Sequence, residues 1–580
     1  MNLLLTPAPQ RVDLSGGSRR LPDHRTIVLS ADALTHGMRG ARDLEAALAA
    51  YAGLRWEVRA AASIAEHEGV VAVIDAKAAK QREGYHLTIG EERIGIVAHD
   101  AAGLYYAFQT LVQLVRQCGR RLPLVHIEDA PEFAHRGVML DVSRDKVPSM
   151  ETLYALIDTL AGWKINQFQL YMEHTFAYER HRAVWKDASP FTAGEILALD
   201  AWCRERHIEL VPNQNSFGHM ARWLTKKPYN DFAEAPRGTT LGALGKLPPF
   251  TLDPHDPRSL RLIDELYAEL LPHFSSRQFN VGCDETFDLG RGKSAKACAE
   301  RGAGRVYLDF LLKIHALCEK HGRRMMFWGD IVMQHPELIS EIPRDAIALE
   351  WGYEHDHPFA ADTKAFRDAG LPFYVCPGAG GWNSLVGRAE NAIENIRSAT
   401  VNGRKRGAAG VLNTEWGDNG HMQPLAVAWL GMMYGAAMSW SPKTGASLDL
   451  PRALSLHAFD DPSGATGRAM LELGNAYTIN GAKTRNGTIF AQMLFTPVNS
   501  DWPMQRVRPG GFDDTSDALH AAAAKLDASA MRRDDAALVV EEMRCAVELA
   551  DIGCAIGAAK QARVGGAAAS KLRPQWRRAA

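Results

Sequence analysis

Between about residue 136 and residue 446 of this 580-residue chain, short apolar runs alternate with helical patterns. That rhythm constrains the fold more than any other feature. The strand candidates are 137–142, 167–172, 208–212, 278–282, 325–328, 347–351, 373–376 and 410–414. Between them lie helical stripes such as Val306, Phe310, Ile314, Leu317 and Cys318. Eight strand–helix alternations over roughly 300 residues predict an α/β fold of the (β/α)8 barrel kind. A doubly wound open sheet is the rival. No G-x-G-x-x-G follows the first strand, so dinucleotide binding has no support.

The chain is too long for one ordinary core. Residues 1–130 read as a small α+β domain. Tyr85, Leu87 and Ile89 alternate with polar residues as in a half-buried strand, and Ile94 and Ile96 look like its hairpin partner. Asp100 then stands as N-cap before a helix with Leu104, Phe108, Leu111 and Leu114 on one face. Residues 131–445 hold the barrel. Residues 446–580 read as helical, with Val539, Met543, Ala546, Val547 and Ala550 forming a stripe. This region either covers one side of the barrel or makes the subunit contact of a homodimer. The glycine- and proline-bearing segment 237–250 is expected to be a loop over the barrel mouth.

The formal net charge is −2. With no basic excess to neutralise phosphates, neither a nucleic acid nor an anionic membrane is the expected partner. The basic stretch 571–578 reads as a solvated end. The eight cysteines are scattered without zinc-ligand spacing. They suit free thiols in a reducing cytoplasm. No apolar window approaches a membrane span, and the opening residues do not resemble a signal peptide.

Polar and aromatic residues gather just after the strands, where a barrel builds its active face. The densest signal is Phe279 to Thr286, in which an apolar strand runs into Asp284 and Glu285. Side chains alternate along a strand, so these two acids share a pocket only if the chain leaves strand geometry at about Glu285. Trp328, Trp351, Trp382 and Trp416 lie at or just after consecutive strands. Indole rings offer flat walls for the C–H faces of a pyranose. Arg136 precedes the first strand and Asp418 follows the last, and these strands are neighbours in a closed barrel. An arginine fork and a carboxylate are suited to sugar hydroxyls. His219 follows the third strand. His355-Asp356-His357 has the look of a metal site but falls where an ordinary exposed loop is expected.

These residues resemble glycoside hydrolase family 20, the β-N-acetylhexosaminidases. The stretch from Tyr85 to Leu114 resembles the family's N-terminal α+β domain. His135 through Arg144 resembles its first barrel strand. Asn280-Val281-Gly282-Cys283-Asp284-Glu285 resembles its H-x-G-x-D-E signature, and Asn413 through Asp418 its last strand. The runs Cys376 to Ser384 and Trp416 to Gly420 are closest to a bacterial N-acetyl-β-glucosaminidase branch with a helical C-terminal domain.

The resemblance implies an exo-acting, retaining hydrolase of terminal GlcNAc, GalNAc or both. Glu285 would be the general acid and then the base. Asp284 would orient the 2-acetamido group, whose carbonyl oxygen attacks to give an oxazolinium ion. Arg136 and Asp418 would bind hydroxyls at the far end of the sugar. His219 would lie beside the acid pair. Trp328, Trp382 and Trp416 would wall the pocket, and Tyr353 would donate to the acetamido oxygen. No metal or organic cofactor is implied. Two departures stand out: Asn280 replaces the signature's first histidine, and Asp418 replaces a glutamate. The rival readings are a metal-dependent barrel hydrolase using His219, Asp284 and Asp330, and a carbohydrate-binding protein without turnover.

Overall fold

The computed structural model describes residues 3–61, 67–242, 245–497, 499–500 and 506–564. The basic stretch 571–578 lies outside them. The first seven strands are β1 (Arg11–Arg20), β2 (Thr26–Ser30), β3 (Glu57–Ala61), β4 (Val70–Ile74), β5 (Tyr85–Ile89), β6 (Ile94–Ala98) and β7 (Arg121–Asp129). They form one mixed sheet in the order β1-β7-β5-β6-β4-β2-β3. The expected hairpin is β5–β6, antiparallel with Leu87 opposite Ile96. Helices α1 (Ala31–Ala47) and α2 (Ala101–Cys118) pack on each other. Asp100 caps α2, its Oδ1 accepting from the Gly103 N–H at 2.9 Å. Every residue from Gly103 to Val115 is buried. A helix buried on every face belongs between two layers, and here the second layer is the barrel, where Gln113 Nε2 donates to Gly162 O at 3.0 Å.

The barrel strands are β8 (His135–Asp141), β9 (Gln167–Tyr171), β10 (Glu209–Val211), β13 (Gln278–Asn280), β14 (Arg324–Trp328), β15 (Ile347–Trp351), β16 (Phe373–Cys376) and β17 (Gly410–Glu415). All eight coincide with the runs read from sequence. They pair in parallel in the order β10-β9-β8-β17-β16-β15-β14-β13. The remaining gap, between β10 and β13, is closed by one bridge. Asn280 N–H donates to Pro212 O at 2.9 Å, and Gln214 N–H donates to Asn280 O at 3.0 Å. Inside the ring Asn280 Nδ2 and Asn213 Nδ2 both donate to Gln169 Oε1, at 3.0 and 3.1 Å. Asn280 thus works at the seam of the barrel, as a neutral amide satisfied within the core.

Strands β11 (Thr239–Leu241) and β12 (Gly245–Leu247) pair within the segment expected to be a loop over the barrel mouth. It leads to Phe250, whose ring packs edge-on against His219 with centroids 4.7 Å apart. After β17 the regular elements among the described residues are all helices. The long helix Ala536–Val564 buries the Val539, Met543, Ala546, Val547 and Ala550 stripe against the helices Ile489–Phe495 and Gly511–Ala523. No helix among the described residues is long and apolar enough to cross a membrane.

Candidate active site

The turn after β13 sets the site. Gly282, Cys283 and Glu285 all have positive φ, at 68°, 68° and 48°. The chain therefore leaves strand geometry earlier than Glu285, at Gly282. Only glycine passes there: a Cβ would fall 1.8 Å from Asn215 Oδ1. Asn280 Oδ1 accepts from the Gly282 N–H at 3.0 Å, and Tyr307 Oη donates to Cys283 O at 2.8 Å. The result of this twist is that two consecutive carboxylates point the same way. His219 Nε2 lies 3.2 Å from Asp284 Oδ2 and 3.3 Å from Glu285 Oε2. Asp284 is buried, whereas the Glu285 side chain is 33 % exposed and reaches the cavity.

Burial works against a charge on His219, but Asp284, Glu173 and Glu285 overrule it and lift the imidazole well above its usual value. The carboxyl of Glu173 feels the same contest. Burial alone would raise it, yet Arg144 and His219 bring it down to about 2. Asp330 supports the turn, its Oδ2 accepting from the Glu285 N–H at 3.1 Å. Burial, then the charge of Asp284, pushes Asp330 up to about 8.

A cavity of about 650 Å³ opens at the C-terminal ends of the strands. That size is ordinary for a small-molecule site. Its aromatic wall is continuous. Trp351 stacks on Tyr353 at 5.0 Å, Tyr353 meets Trp382 edge-on at 5.1 Å, and Trp416 meets Tyr171 at 4.7 Å. Trp328 is fully buried beneath this wall, 5.9 Å from Trp416. Burial pushes the Tyr353 phenol well above its usual range, so its hydroxyl remains a donor.

Arg144 and Asp418 also line the cavity, beside the Trp416 end of that wall. Arg144 Nη1 donates to Asp141 Oδ2 at 2.8 Å, and Nη2 lies 3.3 Å from Glu173 Oε1. Its guanidinium sits over the rings of Tyr171 and Trp416, at 4.6 and 5.2 Å. Burial raises Asp418, opposed by the Arg144 charge.

Arg136 is not in this pocket. It enters β8 at the N-terminal end, opposite Val411, while Asp418 follows the C-terminal end of β17. Its guanidinium is fully buried at the base of the barrel. It pairs there with Glu83 at 2.7 Å and donates to Phe133 O at 2.8 Å, Lys164 O at 3.0 Å and Tyr106 Oη at 3.1 Å. Neighbouring strands do not suffice for a shared site: a residue before a parallel strand and one after it lie at opposite ends. Nor is His357 an ordinary exposed residue. It is half-buried at the cavity edge, with Nε2 3.0 Å from Glu350 Oε1 and 3.4 Å from Asp362 Oδ2. His355 and Asp356 are exposed as expected.

His219, Asp284, Glu285, Tyr353, Trp382, Trp416 and Asp418 all line the cavity. Residues that the sequence did not single out join them or support them. Arg144 lies inside the resembling first-strand stretch, three residues past Asp141, and its position after a strand end was the available signal. Tyr171 and Glu173 carry the same strand-end signal. Asn486 comes from the helical region and carries none.

The family model "Glycosyl hydrolase family 20, domain 2" matches residues 2–130, and "Glycosyl hydrolase family 20, catalytic domain" matches residues 133–379. The chain belongs to glycosyl hydrolase family 20. It is 25 % identical over 412 residues to a beta-hexosaminidase of Porphyromonas gingivalis, covering 65 % of this chain and 50 % of that one. It is 23 % identical to a lacto-N-biosidase of Bifidobacterium bifidum over 56 % of this chain and 29 % of that one. The chain thus spans half or less of the length of these two curated relatives. A Flavobacterium johnsoniae chitobiase shares the fold with a TM-score of 0.63 at 17 % identity, over 97 % of this chain and 92 % of that one. A Vibrio harveyi exo-β-N-acetylglucosaminidase solved with N-acetylglucosamine has a TM-score of 0.62 at 17 % identity, over 78 % and 77 %.

Proposed function

We propose that the protein is a retaining exo-β-N-acetylhexosaminidase that releases terminal GlcNAc, or GalNAc, by substrate-assisted catalysis. One observation carries this reading: Asp284 and Glu285 converge on the same nitrogen of His219. Two acids gathered on one imidazole are poorly placed to flank a glycosidic bond from opposite faces, as a carboxylate nucleophile and its acid partner do. Glu285, the more exposed, protonates the leaving oxygen and then activates water. Asp284, buried and charged against His219, orients the acetamido N–H and stabilises the positive charge of the oxazolinium ion. The acetamido oxygen supplies the nucleophile, and Tyr353 donates to it. Arg144, in place of Arg136, and Asp418 grip the far hydroxyls. Trp382 and Trp416 stack on the sugar, with Trp328 behind them. In this scheme the described residues of 1–130 buttress the barrel at 131–445, and the described residues of 446–580 cover one side of it. The substrate is a glycan or glycoconjugate ending in a β-linked N-acetylhexosamine.

One observation favours a second reading. Ligand atoms of His219, Asp284 and Glu285 lie within 4.8 Å of one another, a set that suits a divalent cation. The two readings part on one experiment. Hydrolysis of 4-nitrophenyl N-acetyl-β-glucosaminide is compared with that of the matching β-glucoside, with and without chelator. Cleavage of the acetamido sugar alone, indifferent to chelator, supports substrate assistance. Cleavage of both sugars, or loss to chelator, overturns it.

A further inference from the structure

The helical region sends one short segment back to the cavity. We infer that Asn486, at its tip, is a positioning residue for the acetamido-binding wall, acting by holding Trp382. The inference rests on the sugar-pocket reading above.

Trp382 is 3 % exposed and stands edge-on to Tyr353. Its ring lies over Gly378, where a Cβ would come within 2.5 Å of the indole and 3.2 Å of Tyr353. The outer edge of the ring thus rests against a bare glycine, and the indole N–H anchors the opposite, polar edge. Nε1 donates to Asn486 Oδ1 at 2.7 Å. A single directional bond at the polar edge of a large apolar ring sets its orientation.

Asn486 is itself held from several sides. Its φ is 53°, a left-handed conformation that asparagine tolerates. Its N–H donates to Glu354 Oε1 at 2.7 Å, and its carbonyl accepts from Asn383 Nδ2 at 3.2 Å. Arg388 grips Glu354 through a fork, at 3.0 and 2.7 Å, and also donates to Thr484 O at 3.1 Å. Gly487 follows so close to Asn383 that a Cβ would stand 2.8 Å from its carbonyl oxygen. The Thr488 N–H donates to the same Asn383 oxygen at 2.9 Å. The segment is therefore laced to the loops after two strands, β15 and β16. A mere fastening of the helical region needs those backbone contacts but not an amide aimed at an indole inside the pocket. Through Trp382, Asn486 governs Tyr353, and through Tyr353 the acetamido oxygen that must attack.

The test uses the full chain with Asn486→Gly, which suits the left-handed backbone and removes the side chain. Asn486→Asp keeps the acceptor. Trp382→Phe removes the donor, and the double variant closes the cycle. Indole N–H resonances are recorded on ¹⁵N-tryptophan-labelled protein, and the one missing from Trp382→Phe belongs to Trp382. In Asn486→Gly that resonance is expected to move upfield and to exchange faster, while Asn486→Asp keeps it in place. On the acetamido substrate kcat/KM is expected to fall about ten-fold in Asn486→Gly and to recover to within about three-fold of wild type in Asn486→Asp. Asn486→Gly should add less than about two-fold to Trp382→Phe, since the two act through one bond. An unmoved resonance in Asn486→Gly overturns the inference. So do losses that multiply in the double variant. If the wild type hydrolyses no acetamido sugar but the resonance behaves as stated, the hold on Trp382 stands and the hexosaminidase reading falls.

Discussion

Asp284 Oδ2 lies 3.2 Å from His219 Nε2, which makes the imidazole the charge partner of a buried carboxylate. The folded value of His219 is raised, so its stabilising charge is fully present below the unfolded value of about 6.5. That support is lost as pH rises through the raised value. His219→Asn should therefore cost about 3 kcal/mol at neutral pH, because it leaves the buried Asp284 without its charge partner. The gap from wild type should narrow on the alkaline side. Urea unfolding from pH 6 to pH 10 measures it, and a gap independent of pH would show that His219 contributes no charge.

Glu285 and Asp284 are expected to fail in different ways. Glu285→Gln should lower kcat by about 10²–10⁴-fold on a disaccharide, and by less on a nitrophenyl glycoside whose leaving group needs little protonation. Under the proposed substrate-assisted scheme Asp284→Asn should slow both substrates alike, by about 10²–10³-fold, since it removes the charge that an oxazolinium ion would need. Steady-state rates on the two leaving groups distinguish these patterns. Equal losses for Glu285→Gln would remove it from the acid role.

Two arginines that look alike in sequence should behave oppositely. Arg144→Lys is expected to raise KM and lower kcat/KM by about 10²-fold, because a lysine cannot reproduce the fork between Asp141 and Glu173. Arg136→Met should destabilise the fold by about 3 kcal/mol, stranding Glu83 and two carbonyls, while the folded fraction keeps KM within about two-fold. Chemical denaturation beside kinetics separates the two outcomes.

Asp330 should shape the alkaline limb of activity. With its carboxyl pushed up to about 8, it is largely protonated at neutral pH and spares Asp284 a second adjacent charge. For an acid raised in this way, stability is greatest below the unfolded value and declines as pH climbs toward 8. Wild-type kcat should fall as pH passes about 8, and Asp330→Asn should move that limb upward. A limb unmoved in Asp330→Asn would place its origin elsewhere.

The barrel was legible because its signal is local. Each strand is a short apolar run bounded by a helical stripe, and the ends of those runs located Asp284, Glu285, His219 and Asp418 in the pocket. The acid pair was harder, since the left-handed turn at Gly282 and Cys283 is a property of contacts with Asn215 and Tyr307 that no local pattern announces. Arg136 was misplaced because strand adjacency was weighed without strand direction. Asn486 was invisible for a different reason. It belongs to a region whose only sequence signal is helical, and its role is set by tertiary contacts with Trp382 and Glu354.

The base of the barrel carries a consequence of its own. Besides Arg136, the buried Lys164 ammonium reaches across to Asp129 at 3.0 Å and Tyr85 Oη at 2.7 Å, and Trp440 Nε1 donates to that same Asp129 at 2.8 Å. Two cations rooted in the barrel thus find their counter-charges in the preceding domain, Glu83 in the turn before β5 and Asp129 at the end of β7. Cutting the chain near residue 130 would break both ion pairs and open the apolar base of the barrel, with Phe133 and Trp440, to water. The barrel is therefore not a portable cassette. Any recombination that carried it to a new host would have to bring the amino-terminal sheet along as its electrical ground.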